Sequence, residues 1–429
     1  MSTLDTREAV IEDLERFRRR ASGWIAANLR PVSLSDMTTF VRGGMDDEEE
    51  LALVTRDRQI QRMLFDAGLA GICVPREYGG QGLTPAHQAV LNEELVGYEF
   101  AARLQSPTMA PCLPVLLEFG TEEQKRRHIP SILRGEEIWV QFLSEPGGGS
   151  DVAGATTTAV RDGDEWVVNG SKVWTTGAWW SDWALCLART NWEVPKHRGL
   201  TVFIFPIDQP GIEVHRIEML NGSKEFCQEF MTDLRVPDGD RVGGVDDGWT
   251  VGIGWMFHER MATAQNSVFI SQPPTGGYAR TDPQELLAIA RDAGRLDDPS
   301  ARDLIGEGQM LELVTAQLHQ RIGHGVMSGH MSDQAASIAR LFRGVAINRL
   351  TTIGFEVAGA AGGAWRAEDG ATARSGVEFL IRQVAAIAGG TLEMARNVVS
   401  ERVLGMPREP ASDRDLAFRD VPRGPAARA

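Results

Sequence analysis

Apolar positions along the chain keep two different periods, and the period changes twice. From Thr6 to about Glu118 they recur every three or four residues amid charges, which predicts helices. The clearest are Glu8–Leu29, Glu48–Ala67 (stopped by Gly68) and Pro85–Tyr98, which follows the Gly79-Gly80 turn. Thr121 with Gln124 three residues on forms a capping-box pattern and opens another helix. From Glu137 to about Val245 the apolar runs are short, β-branched and aromatic, and Gly, Pro and Asn punctuate them. Trp183–Arg189, Leu200–Pro206, Gly211–Arg216 and Glu229–Val236 therefore predict strands of a small barrel or sandwich. After Gly243 the helical spacing returns in Gly248–Phe269, Ala301–Arg321, Ser332–Gly359 and Thr391–Leu404, with Ser271–Gly277 a loop and Asp292–Ser300 a polar connection. The stretch from Pro410 is rich in Pro, Arg and Asp and predicts a loosely ordered tail. The expected fold class is α+β: an N-terminal helical domain (1–136), a middle β domain (137–246), a C-terminal helical bundle (247–409) and a tail (410–429).

Where the first change of period falls, the stretch Gln141–Thr176 carries the densest chemistry. Ser144-Glu145-Pro146-Gly147-Gly148-Gly149-Ser150-Asp151 is a turn-rich loop, and its glycines allow close approach of the backbone, with several N–H groups aimed at an anion. Downstream, Trp166 and Val168 alternate with Val167 and Asn169, and Asn169-Gly170 predicts a hairpin turn. A returning strand would then carry Lys172, Trp174 and Thr176 on one face, since strand side chains repeat every two residues. A flat indole and a hydroxyl beside a glycine-rich loop suit a flat cofactor that bears phosphates.

Composition narrows the class. A net charge of −15 and the lack of a basic stripe argue against a nucleic-acid binder. No apolar run reaches transmembrane length, and the polar start MSTLDTREAV does not resemble a signal peptide, so a membrane location is not expected. The four cysteines (Cys73, Cys112, Cys186 and Cys227) are scattered without metal-ligand spacing, which predicts reduced thiols in a cytoplasmic protein. None of the eight histidines belongs to an HExxH motif, and no metal site is expected.

The central stretch closely resembles the flavin-binding segment of the acyl-CoA dehydrogenase family, roughly T/S-E-P-G-x-G-S-D followed by N-G-x-K-x-W-x-T/S. Three further segments resemble the family in the family's own order: Gly71–Gly82 (GICVPREYGGQG), Gly120–Lys125 (GTEEQK), and Gly389–Glu393 followed by Glu401–Gly405. The resemblance runs from about Asp66 to Glu409 and implies a three-domain fold with FAD as cofactor and an acyl-CoA thioester as substrate. It also implies an electron-transfer flavoprotein as acceptor and a homodimer or homotetramer. By position it assigns Leu143 and Ser144 to the flavin edge, Gly149 and Ser150 to the diphosphate, Trp174 to the ring face and Thr176 to the vicinity of N5. A core position for Trp174 is the plainer alternative in a chain with 11 tryptophans.

The catalytic base departs from the commonest family pattern. Many members carry Glu directly before the C-terminal Gly-Thr, where this chain has Gly389. A minority carry it on the helix that opens the last domain, and the matching residue is Glu259. Gly252, Trp255, Met256, Ala262 and Thr263 share its helix face, so its carboxylate lies on an apolar stripe that should raise its pKa toward that of a useful base. Arg260 points about 100° away. The alternative is an ion pair of Glu259 with Arg340 or Arg343. Gly389 keeps the N–H that the family uses toward the thioester oxygen, although a plain Gly-Gly turn would look the same. Glu393 reads as a structural or capping residue at a helix start.

The family's cross-subunit Arg-aromatic pair has no clear counterpart in Gln320–Leu341, and its Gln position falls near Glu356, ahead of Ala358–Gly363. An acyl-CoA oxidase, an acyl-carrier-protein dehydrogenase and a non-catalytic partner subunit of a hetero-oligomer are the alternatives to an acyl-CoA dehydrogenase.

Overall fold

The structure is a computed structural model and describes residues 11–32, 45–263, 267–273, 283–366 and 370–422. Helices come first: α1 (Leu14–Asn28), α2 (Asp47–Asp66), α3 (Pro85–Glu94), the single turn α4 (Ala102–Leu104), α5 (Leu113–Phe119) and α6 (Glu122–Leu133). Their starts follow from the sequence. Asp46 and Glu49 cap α2 reciprocally, as Thr121 and Gln124 cap α6. The Gln124 amide also donates to the carbonyls of Gly239 and Arg241, which ties α6 to the sheet.

Between α4 and α5 the chain forms a π-helical stretch, Gln105–Cys112. Pro111 brings no N–H to this stretch, and the Cys112 thiol donates to Pro107 O at 3.4 Å. Thr108 fastens the stretch to the first strand, exchanging bonds with Trp139 N and O at 2.9 and 3.0 Å.

The middle of the chain is one eight-stranded sheet: β1 (Trp139–Phe142), β2 (Thr158–Asp162), β3 (Glu165–Thr176), β4 (Trp183–Arg189), β5 (Leu200–Pro206), β6 (Ile212–Ile217), β7 (Phe226–Pro237) and β8 (Arg241–Val242). The order is β6-β7-β3-β2-β4-β5-β8, with β1 parallel to β4. One face packs Leu185, Leu187, Val202 and Ile204 with α5 and α6, and the other buries Phe142, Trp166, Phe203 and Phe205.

Two expectations for β3 are corrected. Asn169-Gly170 is not a turn, because β3 runs through it unbroken and the β2–β3 hairpin turns at Gly163 (φ 68°). Gly170 sits instead at a bulge opposite β7, where an added Cβ would meet Thr157 Oγ1 at 2.5 Å. The second correction concerns the faces. Val173 pairs with Gln228 and Thr175 with Cys227, so Trp174 is the extra residue of another bulge. That extra residue flips the alternation, and Lys172 shares a face with Thr175 rather than with Trp174 and Thr176.

The last region is helical: α7 (Gly248–Thr263), α8 (Pro283–Asp292), α9 (Pro299–Met327), α10 (Ala336–Ala358), the turn α11 (Ala360–Gly363), α12 (Gly370–Ile381), the turn α13 (Val384–Ile387) and α14 (Leu392–Val398), which is continued by a π turn. The helices α8 and α12 were not anticipated from sequence. Phe269 lies beyond the helix expected to reach it. The first residues of the helix expected from Glu8, most of the loop after Pro273 and the end of the tail lie outside the described residues. The described part of the tail is not loose, because Phe418 is buried.

Candidate active site

The glycine-rich loop is built around one buried carboxylate. Glu145 and Gly148 exchange backbone bonds at 3.1 and 3.0 Å and close a tight turn. The Glu145 side chain accepts from Thr156 N and Oγ1, both at 2.7 Å, from Thr157 N at 2.9 Å and from Lys172 Nζ at 2.9 Å. Burial alone would raise its pKa, but Lys172 and the threonine donors outweigh that and hold it at about 2. Lys172 is fully buried and also donates to Leu143 O at 3.1 Å, while Val173 N donates to Ser144 O at 3.0 Å. The loop root at Leu143 and Ser144 is thereby fixed, while Gly149 and Ser150 at its far end stay exposed.

Trp174 stands beside this loop on β3. Its backbone is left-handed (φ 67°), a conformation that costs a non-glycine residue about 1–2 kcal/mol. The residue is 54% exposed, and its ring meets Phe226 edge-on at 6.0 Å. This rules out the core position that sequence left open for it. A large indole held in a strained bulge and half exposed, next to an exposed glycine-rich loop, fits a flat cofactor with phosphates. Thr176 is half-buried and pairs with Phe226.

The helix α7 packs on β4 and β5 and is bonded to β1. The Trp255 indole N–H donates to Gln141 Oε1 at 2.5 Å, and Trp255 and Val251 belong to the core that Leu143 packs against. Glu259 lies one turn beyond Trp255. Burial raises its pKa, and the Arg260 charge only partly opposes this. The π stretch packs on α7 and brings the buried Cys112 thiol within electrostatic reach of the Glu259 carboxylate. Its neighbour His258 is engaged elsewhere, at 2.7 Å from Glu118 Oε1.

Gly389 lies on a different layer. It and Gly390 have left-handed backbones (φ 71° and 95°), and Arg340 of α10 donates through one nitrogen to Ala388 O at 2.7 Å and Gly390 O at 2.8 Å. Arg340 thus pins the turn on both sides of Gly389, and burial lowers its pKa. Glu393 is exposed in the first turn of α14 and reaches Arg396 at 3.3 Å, as a structural residue would. Leu143 shares a core with Trp255 of α7, and Ser144 is bonded to β3 at Val173, beside Trp174. The Gly389 turn is anchored to α10.

Sequence reading passed over Glu145, Lys172, Glu229 and Arg340 as site-building residues. Glu145 and Lys172 stood inside the motif, and their polarity on strand-like spacing was the available signal. Glu229 is fully buried, and Thr175 Oγ1 lies at 2.9 Å from it. Burial raises its pKa to about 8 against the weaker opposing influence of Thr175 and Lys172. Among the described residues no group of three or more His, Cys, Asp or Glu is set to hold a metal, and no helix is long and apolar enough to cross a membrane.

A helical region packed on a sheet that carries a glycine-rich loop is the frame in which the comparison with known proteins is read. The model for the acyl-CoA dehydrogenase N-terminal domain matches residues 36–136, and that for the middle domain matches 141–233. Acyl-CoA dehydrogenase IpdE1 of Mycobacterium tuberculosis is 33% identical over 93% of this chain and 99% of its own. Acyl-CoA dehydrogenase FadE34 of the same organism is 34% identical over 84% of this chain and 47% of its own. Among solved structures, the Tcur3481-Tcur3483 steroid ACAD superposes with a TM-score of 0.72 at 28% identity, over 92% of this chain and 98% of the other. The chain belongs to the acyl-CoA dehydrogenase family, whose enzymes are flavin-dependent oxidoreductases.

Proposed function

We propose that this protein is an FAD-dependent acyl-CoA dehydrogenase that introduces a double bond between the α and β carbons of an acyl-CoA thioester, with Glu259 as the base. The observation that carries this reading is the Glu259 carboxylate on the apolar side of α7, its pKa raised by burial, one turn from the Trp255–Gln141 bond that locks the helix to the cofactor strands. A carboxylate of raised pKa removes an α-proton better near neutral pH than an exposed one. In this reading the Gly389 N–H donates to the thioester oxygen, which acidifies the α-carbon, and Arg340 keeps that N–H aimed by holding the carbonyls on either side.

A bound flavin would supply the acceptor for the hydride leaving the β-carbon. Leu143 and Ser144 would meet its edge, Trp174 its face and Thr176 the vicinity of N5. Gly149 and Ser150 would take the diphosphate, which favours FAD over a mononucleotide. An electron-transfer flavoprotein is the expected acceptor, and a cytoplasmic setting suits the four free thiols. The relatives' names support a dehydrogenase rather than an oxidase.

A second reading of the assembly has support as well. The resemblance places the family's cross-subunit Gln near Glu356, and two similar structures, the Tcur3481-Tcur3483 steroid ACAD and the ChsE4-ChsE5 complex from Mycobacterium tuberculosis, each pair two proteins. Assembly with a second homologous chain therefore stands beside a homodimer or homotetramer. The steroid enzyme among these neighbours puts steroid-derived thioesters first in a substrate panel.

The test is anaerobic bleaching of the bound flavin by acyl-CoA thioesters in wild type and Glu259→Gln. The variant should retain flavin and fold but fail to bleach. Bleaching at the wild-type rate sinks the assignment of Glu259, and a purified chain without flavin sinks the cofactor reading.

A further inference from the structure

The C-terminal segment returns to the sheet domain and meets it at one arginine. Phe418 is 2% exposed, its ring lies 3.8 Å from the guanidinium carbon of Arg189, and it stacks on Trp192 at 5.3 Å between centroids. Backbone bonds fix the approach: Phe418 N donates to Val194 O at 2.9 Å and Arg419 N to Trp192 O at 3.1 Å. Arg419 also pairs with Glu193 at 2.5 Å.

Arg189 is wholly buried at the end of β4, where a guanidinium is tolerated only when its donors are spent. Nε donates to Ala155 O at 3.0 Å, Nη2 to Ala153 O at 2.6 Å and Nη1 to Lys196 O at 2.9 Å. Ala153 and Ala155 directly follow the glycine-rich loop. Lys196 in turn holds Asp151, the residue after Ser150, with 2.9 Å to both carboxylate oxygens. One guanidinium thus gathers the backbone on the downstream side of the loop, and the Phe418 ring covers a face of that guanidinium.

We propose that Phe418 is a positioning residue for cofactor binding. The C-terminal segment clasps Arg189, and Arg189 keeps 151–155 in the shape that lets the exposed Gly149 and Ser150 amides converge on a diphosphate. This rests on the reading of Gly149 and Ser150 given above. The clasp acts through the guanidinium's neighbours and touches no reacting atom.

The test uses the full chain and Phe418→Ala, with folding checked by circular dichroism. Two quantities are measured: the FAD dissociation constant, and hydrogen–deuterium exchange of amides 151–157 in the cofactor-free chain. Loss of a desolvated cation–π contact should weaken FAD binding by about 3- to 30-fold and speed exchange in that segment. The clasp is overturned if exchange there is unchanged, or if the variant binds FAD as tightly as wild type. A wild-type chain that binds no FAD overturns the cofactor reading, while exchange still decides whether Phe418 holds the segment.

Discussion

Two glutamates, one in the sheet domain and one on α7, are both shielded from water and end in opposite states. Glu145 receives Lys172 and three donors from Thr156 and Thr157, and its pKa falls to about 2. Glu259 lies along an apolar helix face with a thiol nearby and Arg260 as its opposing charge, and its pKa rises. Burial pushes both the same way; at Glu145 the Lys172 charge and the threonine donors reverse its effect, while at Glu259 the Arg260 charge does not. A carboxylate paired with a buried ammonium makes a rigid anchor but a poor base.

Exchanging each carboxylate for its amide should separate the two roles. Glu259→Gln is expected to slow flavin reduction by about 10²- to 10⁴-fold, the range for a lost general base, with little change in melting temperature; rapid-mixing absorbance and calorimetry read both. Glu145→Gln should do the reverse. It leaves Lys172 buried without its counter-charge and should destabilise the fold by about 3–5 kcal/mol in denaturant titration. A Glu145→Gln chain as stable as wild type would mean that Lys172 finds another partner.

Glu229 sharpens the contrast within the sheet, where Lys172, Cys186, Cys227 and Thr175 face it. Its carboxyl stays protonated in the folded chain up to about pH 8, but ionises near its ordinary 4.5 once unfolded. The folded state therefore holds the extra proton, and this group's contribution to stability falls as pH rises from about 4.5 to about 8, then levels. Glu229→Gln should flatten that slope in melting curves taken across the interval. The smallest effect is expected at Trp174. Trp174→Gly relieves the left-handed backbone and should stabilise the cofactor-free chain by about 1 kcal/mol while weakening flavin binding; a tighter-binding variant would remove the indole from the site.

Some of this was legible in advance. The capping box at Thr121, the strand runs at Trp183 and Leu200 and the helix carrying Glu259 follow from local pattern, because their causes lie within a few residues. Asn169-Gly170 misled because the pair suits a turn, whereas the neighbours Thr157 and β7 call for a residue without a side chain in a continuing strand. Thr176 came out on the wrong face because the extra residue, Trp174, reverses the alternation of everything after it. The tail read as loose because its composition is polar, while a single aromatic ring docks it on a buried arginine 229 residues earlier in sequence.

The sequence by itself determined the three-part order of helix, sheet and helix, the family and which side chains are available for chemistry. Periodicity and short motifs are local properties and survive in one dimension. Only the tertiary structure decided which carboxylate is neutralised by donors, where the indole faces and what pins the Gly389 turn. Each of these depends on groups far apart in the chain meeting at hydrogen-bond distance, and no local pattern encodes that distance.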